Sequence, residues 1–426
     1  MINKLSIKNF KSIKELDIDC ARVNLFIGEP NTGKSNILEA LGVLSWSAIK
    51  DLPLSDFVRF EYIGNLFYDN LYKQPLEIMS IDDKETEIKI RVEFDTQTDN
   101  FVFYPELPLK DGVPMIKISQ IIFSVSLELD NKINQLNNGI IPEDLRKGFE
   151  NIGSPISKSF SIRTDIKDNR WFLNDNPRRY LITKGEDKLN INMVIDVLCR
   201  LDHSGLYKEI DFPMDVKNKI PISEFASIKF YKFREQTKFP SKFPAWLTPA
   251  NGSNLVSLII GDKKVREIAS NLFKDFGFKM MFREHAETLE QSKLINDDIY
   301  SYPYITVSDT LQRMLFYNAA IDSNENATLI FEEPEVHAFP AYIKRLGEKI
   351  AFDKSNQYFI VTHNPYLFLS ILEKTPKEDV NVFITYFRDY QTKVKHATSR
   401  EISKLMTYDP FFNLDMFIPK LRKTDK

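Results

Sequence analysis

The stretch Gly28-Glu29-Pro30-Asn31-Thr32-Gly33-Lys34-Ser35 constrains this chain more than any other. Its spacing is G-x-x-x-x-G-K-[ST]. An apolar run, VNLFIG at 23–28, leads into it. A helical pattern follows from Asn36 to Lys50, with Ile37, Leu41, Leu44 and Ala48 on one face. A strand that turns through glycines into a helix is the context in which this spacing makes a P-loop. Gly28 and Gly33 permit backbone angles and close approach that a side chain would block. Successive N–H groups around Asn31, Thr32, Gly33 and Asn36, with the helix N-terminus, then face phosphates. Lys34 is expected to reach the β- and γ-phosphates of ATP, and Ser35 to hold Mg²⁺.

A second stretch, TLIFEEPEVHAFP at 328–340, ends an apolar run in two glutamates and a proline. Thr328 to Phe331 reads as a strand buried on both faces of a parallel sheet. Charges at its end are costly without a partner, and a P-loop ATPase needs a carboxylate there to hold Mg²⁺. Glu332 is expected to hold the metal, through water, and Glu333 to polarise the attacking water. Consecutive strand residues diverge to opposite faces, and Pro334 is expected to keep Glu333 extended. In VTHNP, 361–365, His363 again follows an apolar strand and is a candidate for the γ-phosphate or the water. In VSDTLQRML, 307–315, Ser308 or Asp309 caps a helix whose exposed N-terminus could receive a phosphate.

Composition narrows the class. The 426 residues carry a formal net charge of −3, which argues against a protein dominated by nonspecific nucleic-acid binding but leaves a local basic groove open. Two cysteines, Cys20 and Cys199, cannot build a zinc cluster or a disulfide framework, and fit a reduced, cytoplasmic setting. The N-terminus lacks a signal-type apolar core, and no run reaches the 18 or so apolar residues of a membrane span. Residues 3–8 and 13–19 alternate like a hairpin. Residues 86–94 and parts of 114–128 alternate as strands. Between about 99 and 220 turn-rich pieces such as DNKINQLNNG, KDNRW and TKGEDK separate short elements, which reads as an inserted subdomain. Ser253 or Asn254 is a plausible cap for the helix that follows the proline-punctuated loop 240–252.

Taken together, LSIKNFKSIKELDI, GEPNTGKSNILEAL, NGSNLVSLI, LIFEEPEVHAFP and VTHNP resemble the ABC-type ATPase heads of the RecF, SMC and OLD families. The resemblance covers the two ends of the chain. It is nearest to stand-alone OLD-like ATPases of anti-phage systems, such as the AriA component of PARIS. It implies an α/β fold: an ABC-type ATPase head, with a P-loop NTPase core of mixed sheets plus an antiparallel β subdomain, interrupted by an inserted α+β subdomain. The domains expected are 1–98 with the Walker A loop, 99–220 as the insert, and 221–426 with signature, Walker B and switch histidine.

The resemblance further implies two heads that sandwich two ATP molecules, each site completed by the partner's signature serine, here Ser308. Three departures stand out. Glu332 replaces the Walker B aspartate, Thr310 stands at the signature glycine, and Asn65 or Asp69 in GNLFYDN is only a weak match to a Q-loop. Lys11 is a candidate for the adenine or the phosphates by analogy; its other reading is a surface lysine. The residues after His363 are too few for the Toprim nuclease of OLD proteins, so an effector in trans is expected. The expected function is an ATP-hydrolysing, nucleotide-dependent assembly switch that controls a separately encoded nuclease or toxin in anti-phage defence. The expected assembly is a homodimer or a larger ring. The alternatives are a RecF-like DNA-binding ATPase in repair or maintenance and a nucleotide-binding scaffold with negligible turnover. The segment KFYKFREQTKFPSKF, 229–243, is either a nucleic-acid strip or, in preference, a solvated basic face. No alternative catalytic set surrounds the cysteines or His203, His285 and His396.

Overall fold

Alternation and apolar density along the chain translate into antiparallel sheets and one mainly parallel sheet in the computed structural model of the protein. The structure describes residues 1–47, 52–85, 87–95, 227–407 and 411–419, with the helices and strands that lie between 100 and 210. The chain divides into two compact units, one built from Met1–Phe94 and the stretch from Ser223 onward, the other from Asp95–Asp202 and Tyr207–Ile222.

In the first unit, β1 (Ile2–Phe10) and β2 (Ile13–Asp19) form the expected hairpin. They continue into β4 (Leu76–Asp82) and β5 (Glu87–Asp95) as an antiparallel sheet in the order β5-β4-β1-β2. The central sheet is built differently. Its strands are β3 (Val23–Gly28), β6 (Ile228–Tyr231), β10 (Thr328–Glu332), β11 (Gln357–Val361), β12 (Val380–Arg388) and β13 (Gln391–His396). Their order is β6-β10-β11-β3-β12-β13, parallel throughout except for the β12–β13 pair. The strands at its centre are continuous apolar runs because helices cover both faces. Helix α1 (Lys34–Ser47) packs on β6, β10 and β11 and is almost wholly buried. A large core joins Leu25, Ile27, Leu329, Phe331, Tyr358 and Ile360 to α2 (Leu255–Gly261), α3 (Lys263–Lys274), α4 (Asp309–Asp322), α5 (Pro340–Phe352) and α6 (Pro365–Lys374). A small antiparallel sheet, β7 (Lys279–Arg283), β8 (Thr288–Ile295) and β9 (Asp298–Pro303), precedes α4. This is the expected fold class, a P-loop core with mixed sheets and an antiparallel β subdomain.

The second unit is α+β. Its five-stranded antiparallel sheet runs in the order 161–165, 170–175, 178–184, 188–194 and 121–126. Helices Leu129–Asn137 and Glu143–Asn151 bury Leu136, Leu145 and Phe149 with Trp171, Leu173 and Ile182. The indole Trp171 Nε1 donates to Asn137 Oδ1 at 2.8 Å.

Several local expectations change. Helix α1 begins at Lys34 and ends at Ser47, and residues 48–50 lie outside the described residues, as do 86 of the expected strand 86–94 and 115–120 and 127–128 of the expected strand region 114–128. Asn254 stands at the cap position of α2, but its side chain does not cap. It is drawn into the preceding loop, where it donates to Phe243 O and Trp246 O and accepts from Thr248 N. A buried amide satisfies itself where the nearest strong partners lie, and here those are loop backbone groups. The basic segment 229–243 is not a solvated face throughout. Lys229 is buried against Trp246 and Asn324, Lys232 pairs with Glu332, and Arg234 pairs with Asp56.

Candidate active site

Parallel pairing sets the site. Because β3, β10 and β11 are adjacent and parallel, their C-terminal ends reach one edge of the sheet, where ligands of open α/β sheets bind. The register places Phe26 beside Val361 and Val361 beside Glu332. The P-loop leaves β3, the acidic turn leaves β10 and the His363 loop leaves β11. Residues 298 positions apart therefore meet.

The P-loop closes by local bonds. Asn31 and Gly33 take positive φ, 60° and 71°. Thr32 Oγ1 donates to Glu29 O at 2.8 Å and lies 2.9 Å from Thr385 Oγ1. The glycines answer a neighbour within the fold as well as any ligand. A Cβ on Gly28 would meet Thr385 Oγ1 at 2.2 Å, and one on Gly33 would meet Thr392 Oγ1 at 1.9 Å. Both threonines belong to the β12–β13 hairpin, which backs the loop. Lys34 Nζ lies across the loop and donates to Gly28 O at 3.0 Å and Glu29 O at 3.1 Å. Burial pushes its ammonium down to about 8 against the opposing pull of Glu333. Asn36 donates to Ser12 Oγ at 2.7 Å, tying the start of α1 to the β1–β2 turn.

The acidic pair divides as its positions dictate. Glu332 ends β10 and is hydrogen-bonded by the Ser35 side chain. Burial alone would raise its carboxyl; Lys232, then Ser35 and Arg59, outweigh this and hold it below the usual range. Lys232 Nζ is 2.5 Å from Glu332 Oε2, and Arg59 Nη2 is 3.5 Å from Oε1. Glu333 is not extended. Its φ is +46°, and its N–H donates to Val361 O at 3.0 Å. The expectation that Pro334 holds it extended is therefore wrong: that backbone bond to β11 turns the chain sharply into the left-handed region, and the ring restricts without deciding. The turn swings the Glu333 carboxylate to 3.6 Å from His363 Nε2. Burial and then Lys34 keep the imidazole below its ordinary value, with Glu333 partly offsetting them.

The donor set suits Mg²⁺. The Ser35 hydroxyl and the Glu332 carboxylate are hard oxygens hydrogen-bonded to each other. Among the described residues no group of three or more His, Cys, Asp or Glu side chains could hold a metal ion by itself.

Lys11 and Ser308 lie differently. Lys11, with φ 49°, is neither an open surface lysine nor a free phosphate ligand. It pairs with Glu39 and donates to Arg59 O at 2.5 Å. Ser308 Oγ accepts from Leu311 N at 3.4 Å as the cap of α4 and is exposed. No hydrogen bond or ion pair joins it to the Lys34 cluster among the described residues. Thr310 Oγ1 donates to His337 O at 3.1 Å, and His337 Nδ1 lies 3.1 Å from Asp309 Oδ2. The acidic loop and the start of α4 are thereby joined. Asn65 Oδ1 accepts from the N–H groups of Glu61 and Tyr62 and stabilises a local turn. Asn65 and Asp69 line one depression with Lys11 and Arg59.

Sequence reading missed three groups here. Glu39 is buried on α1 between Lys11 and Arg59, and a lone acid within the apolar run ILEALGVL was its signal. Lys232 was visible only as one charge in a strip. Arg59 carried no signal at all.

A glycine-rich loop with a buried lysine, a serine hydrogen-bonded to a strand-end carboxylate, and a second carboxylate beside a histidine are the parts expected of a P-loop nucleotide site. The chain belongs to the AAA ATPase domain family, whose model matches residues 1–292. It is 32% identical over 83 residues to the DNA replication and repair protein RecF of Leptospira interrogans, a match covering 18% of this chain and 23% of that protein. It is 38% identical over 77 residues to an ATP/GTP phosphatase of Helicobacter pylori, covering 18% of each. The chain thus spans less than a quarter of the length of these curated relatives. Among solved structures it is similar to the SMC head domain from Thermotoga maritima, at 13% identity and TM-score 0.38 over 93% of this chain and 99% of that one. It is also similar to a Pyrococcus furiosus Smc head bound to the C-terminal domain of ScpA, at 15% identity and TM-score 0.43 over 95% and 98%.

Proposed function

We propose that the protein binds and hydrolyses ATP with Mg²⁺, and that nucleotide-driven pairing of heads controls a separately encoded nuclease or toxin in the cytoplasm. The observation that carries the hydrolytic reading is the meeting of Lys34, Ser35, Glu332, Glu333 and His363 at one sheet edge. In this reading Lys34 and the loop amides of Gly28, Asn31, Thr32, Gly33 and Asn36 bind the phosphates. Ser35 and Glu332 would hold the metal, which when bound would neutralise charge on the β- and γ-phosphates. Glu333 accepts the proton of the attacking water. His363, 3.6 Å from Glu333, orients that water or the γ-phosphate. Lys232 and Arg59 balance Glu332 and keep it ionised within the sheet edge.

Pairing of heads through the exposed Ser308, an OLD-like membership and an anti-phage role rest on the motif resemblance. The limited identity to RecF favours a second reading, a DNA-binding ATPase of repair. Against it, Lys229, Lys232 and Arg234 of the basic segment are engaged inside the molecule. Turnover of wild type against Glu333→Gln tests the chemistry: equal rates would remove Glu333 as base, and no wild-type turnover would leave a nucleotide-binding scaffold. A mobility shift on duplex DNA separates the other two. An ATP-dependent, salt-sensitive shift supports the repair reading. Its absence, with ATP-dependent co-purification of a neighbouring gene's product, supports the switch.

A further inference from the structure

We infer that Glu335 is a positioning residue for this site: its buried carboxylate holds the backbone at Thr362–His363 so that the His363 imidazole stays beside Glu333. The inference rests on the hydrolytic reading proposed above.

Glu335 is 5% exposed and Thr362 is fully buried. Glu335 Oε1 accepts from Thr362 Oγ1 at 2.6 Å and from the His363 backbone N–H at 3.0 Å. The Thr362 hydroxyl oxygen in turn accepts from Asn364 N at 3.0 Å, and Asn364 Oδ1 caps α6 through Tyr366 N and Leu367 N. One carboxylate oxygen thus anchors the whole exit from β11. The same residue sits two positions past Glu333, in a turn braced by Val336 N to Glu333 O at 3.2 Å and Ala338 N to Glu335 O at 3.0 Å. Beside the backbone bond from Glu333 N to Val361 O, the Glu335 side chain is thus a second tie between the two loops that carry Glu333 and His363.

Glu335 Oε2 is buried without a hydrogen-bond partner among the described residues. Burial pushes its pKa up to about 7, partly offset by the bonds from Thr362 and His363. An acid kept at that cost beside a reactive pair is where local rules give way to function.

The test compares Glu335→Ala, Glu335→Gln and Thr362→Val with wild type in steady-state ATP hydrolysis. It also follows the His363 Cε1–H signal by NMR. Glu335→Ala is expected to lower kcat about 10- to 100-fold with KM little changed, as misplacement by an ångström does. Glu335→Gln keeps an oxygen acceptor and is expected to return kcat to within about threefold of wild type, the rescue that a positioning role requires. Thr362→Val, which loses the donor to Glu335 and the acceptor for Asn364 N but leaves the His363 N–H bond to Glu335, should fall between. The His363 signal should move in Glu335→Ala and not in Glu335→Gln. Wild-type kcat in Glu335→Ala, or a Glu335→Gln no better than Glu335→Ala, overturns the inference. If Glu335→Ala does not fold, the other two variants decide: Thr362→Val reduced with Glu335→Gln retained supports it, and both at wild-type kcat overturn it. If wild type shows no turnover, the hydrolytic reading fails by itself. The His363 signal then decides the positioning claim, and an unmoved signal in Glu335→Ala overturns it.

Discussion

At the scale of single residues, burial decides what each charge can do. Lys34 is 6% exposed, donates to two loop carbonyls and lies within the field of Glu333. Lys34→Ala is expected to abolish ATP binding measured by calorimetry, because the loop amides alone lack the charge that meets the β- and γ-phosphates. Glu333→Gln is expected to bind ATP as wild type does and to lose turnover by about 100-fold or more, as removal of a general base does. Lys229 makes a different case. Its ammonium stands 4.0 Å from the Trp246 ring and bonds to Asn324, with no carboxylate paired to it among the described residues, and burial pushes its pKa down to about 7. The unfolded chain keeps that proton up to its ordinary value of 10.5 and the folded chain does not. Between pH 7 and 10.5 the unfolded state therefore binds more protons, and stability rises with pH. A melting series over this range should show a shallower rise for Lys229→Met than for wild type; parallel curves would mean the lysine is not buried as described.

At the scale of elements, the parallel sheet makes the site and caps hold the helices that flank it. Asp262 Oδ1 accepts from Lys264 N at 2.7 Å and Val265 N at 3.1 Å at the start of α3, remote from the P-loop. Asp262→Ala is expected to cost about 1 kcal/mol in urea unfolding while leaving ATP turnover unchanged. The P-loop was legible from spacing because a strand, eight residues and a helix form it with local contacts. The strand at 328–332 and the cap at Ser308 were legible for the same reason. Asn254 and Glu333 were not. Each is governed by a partner distant in sequence or across a loop, and neither propensity nor the proline rule reports such partners.

At the scale of the whole molecule, two compact units share one chain, and the site belongs to the unit that holds the parallel sheet. No helix among the described residues is long and apolar enough to cross a membrane. If the switch reading holds, Glu333→Gln with Mg²⁺ and ATP should double in mass by light scattering. Ser308→Arg should keep ATP binding and stay at the smaller mass, because a long cation at the exposed start of α4 blocks the approach of a second head. A mass unaffected by ATP in Glu333→Gln would remove the assembly reading without touching hydrolysis.

The amino-acid order alone determined the phosphate-binding loop, the acidic strand end and the histidine after the neighbouring strand. Each is a short motif whose chemistry is carried by adjacent residues. It also marked a separate middle region through its turn-rich texture. Tertiary structure alone decided that Glu332 is shared by Ser35, Lys232 and Arg59, that Lys11 serves Glu39, and that Glu335 holds the His363 loop. Those pairings depend on which strands lie side by side, and strand order follows from burying every apolar face at once, a property of the folded whole that no local pattern encodes.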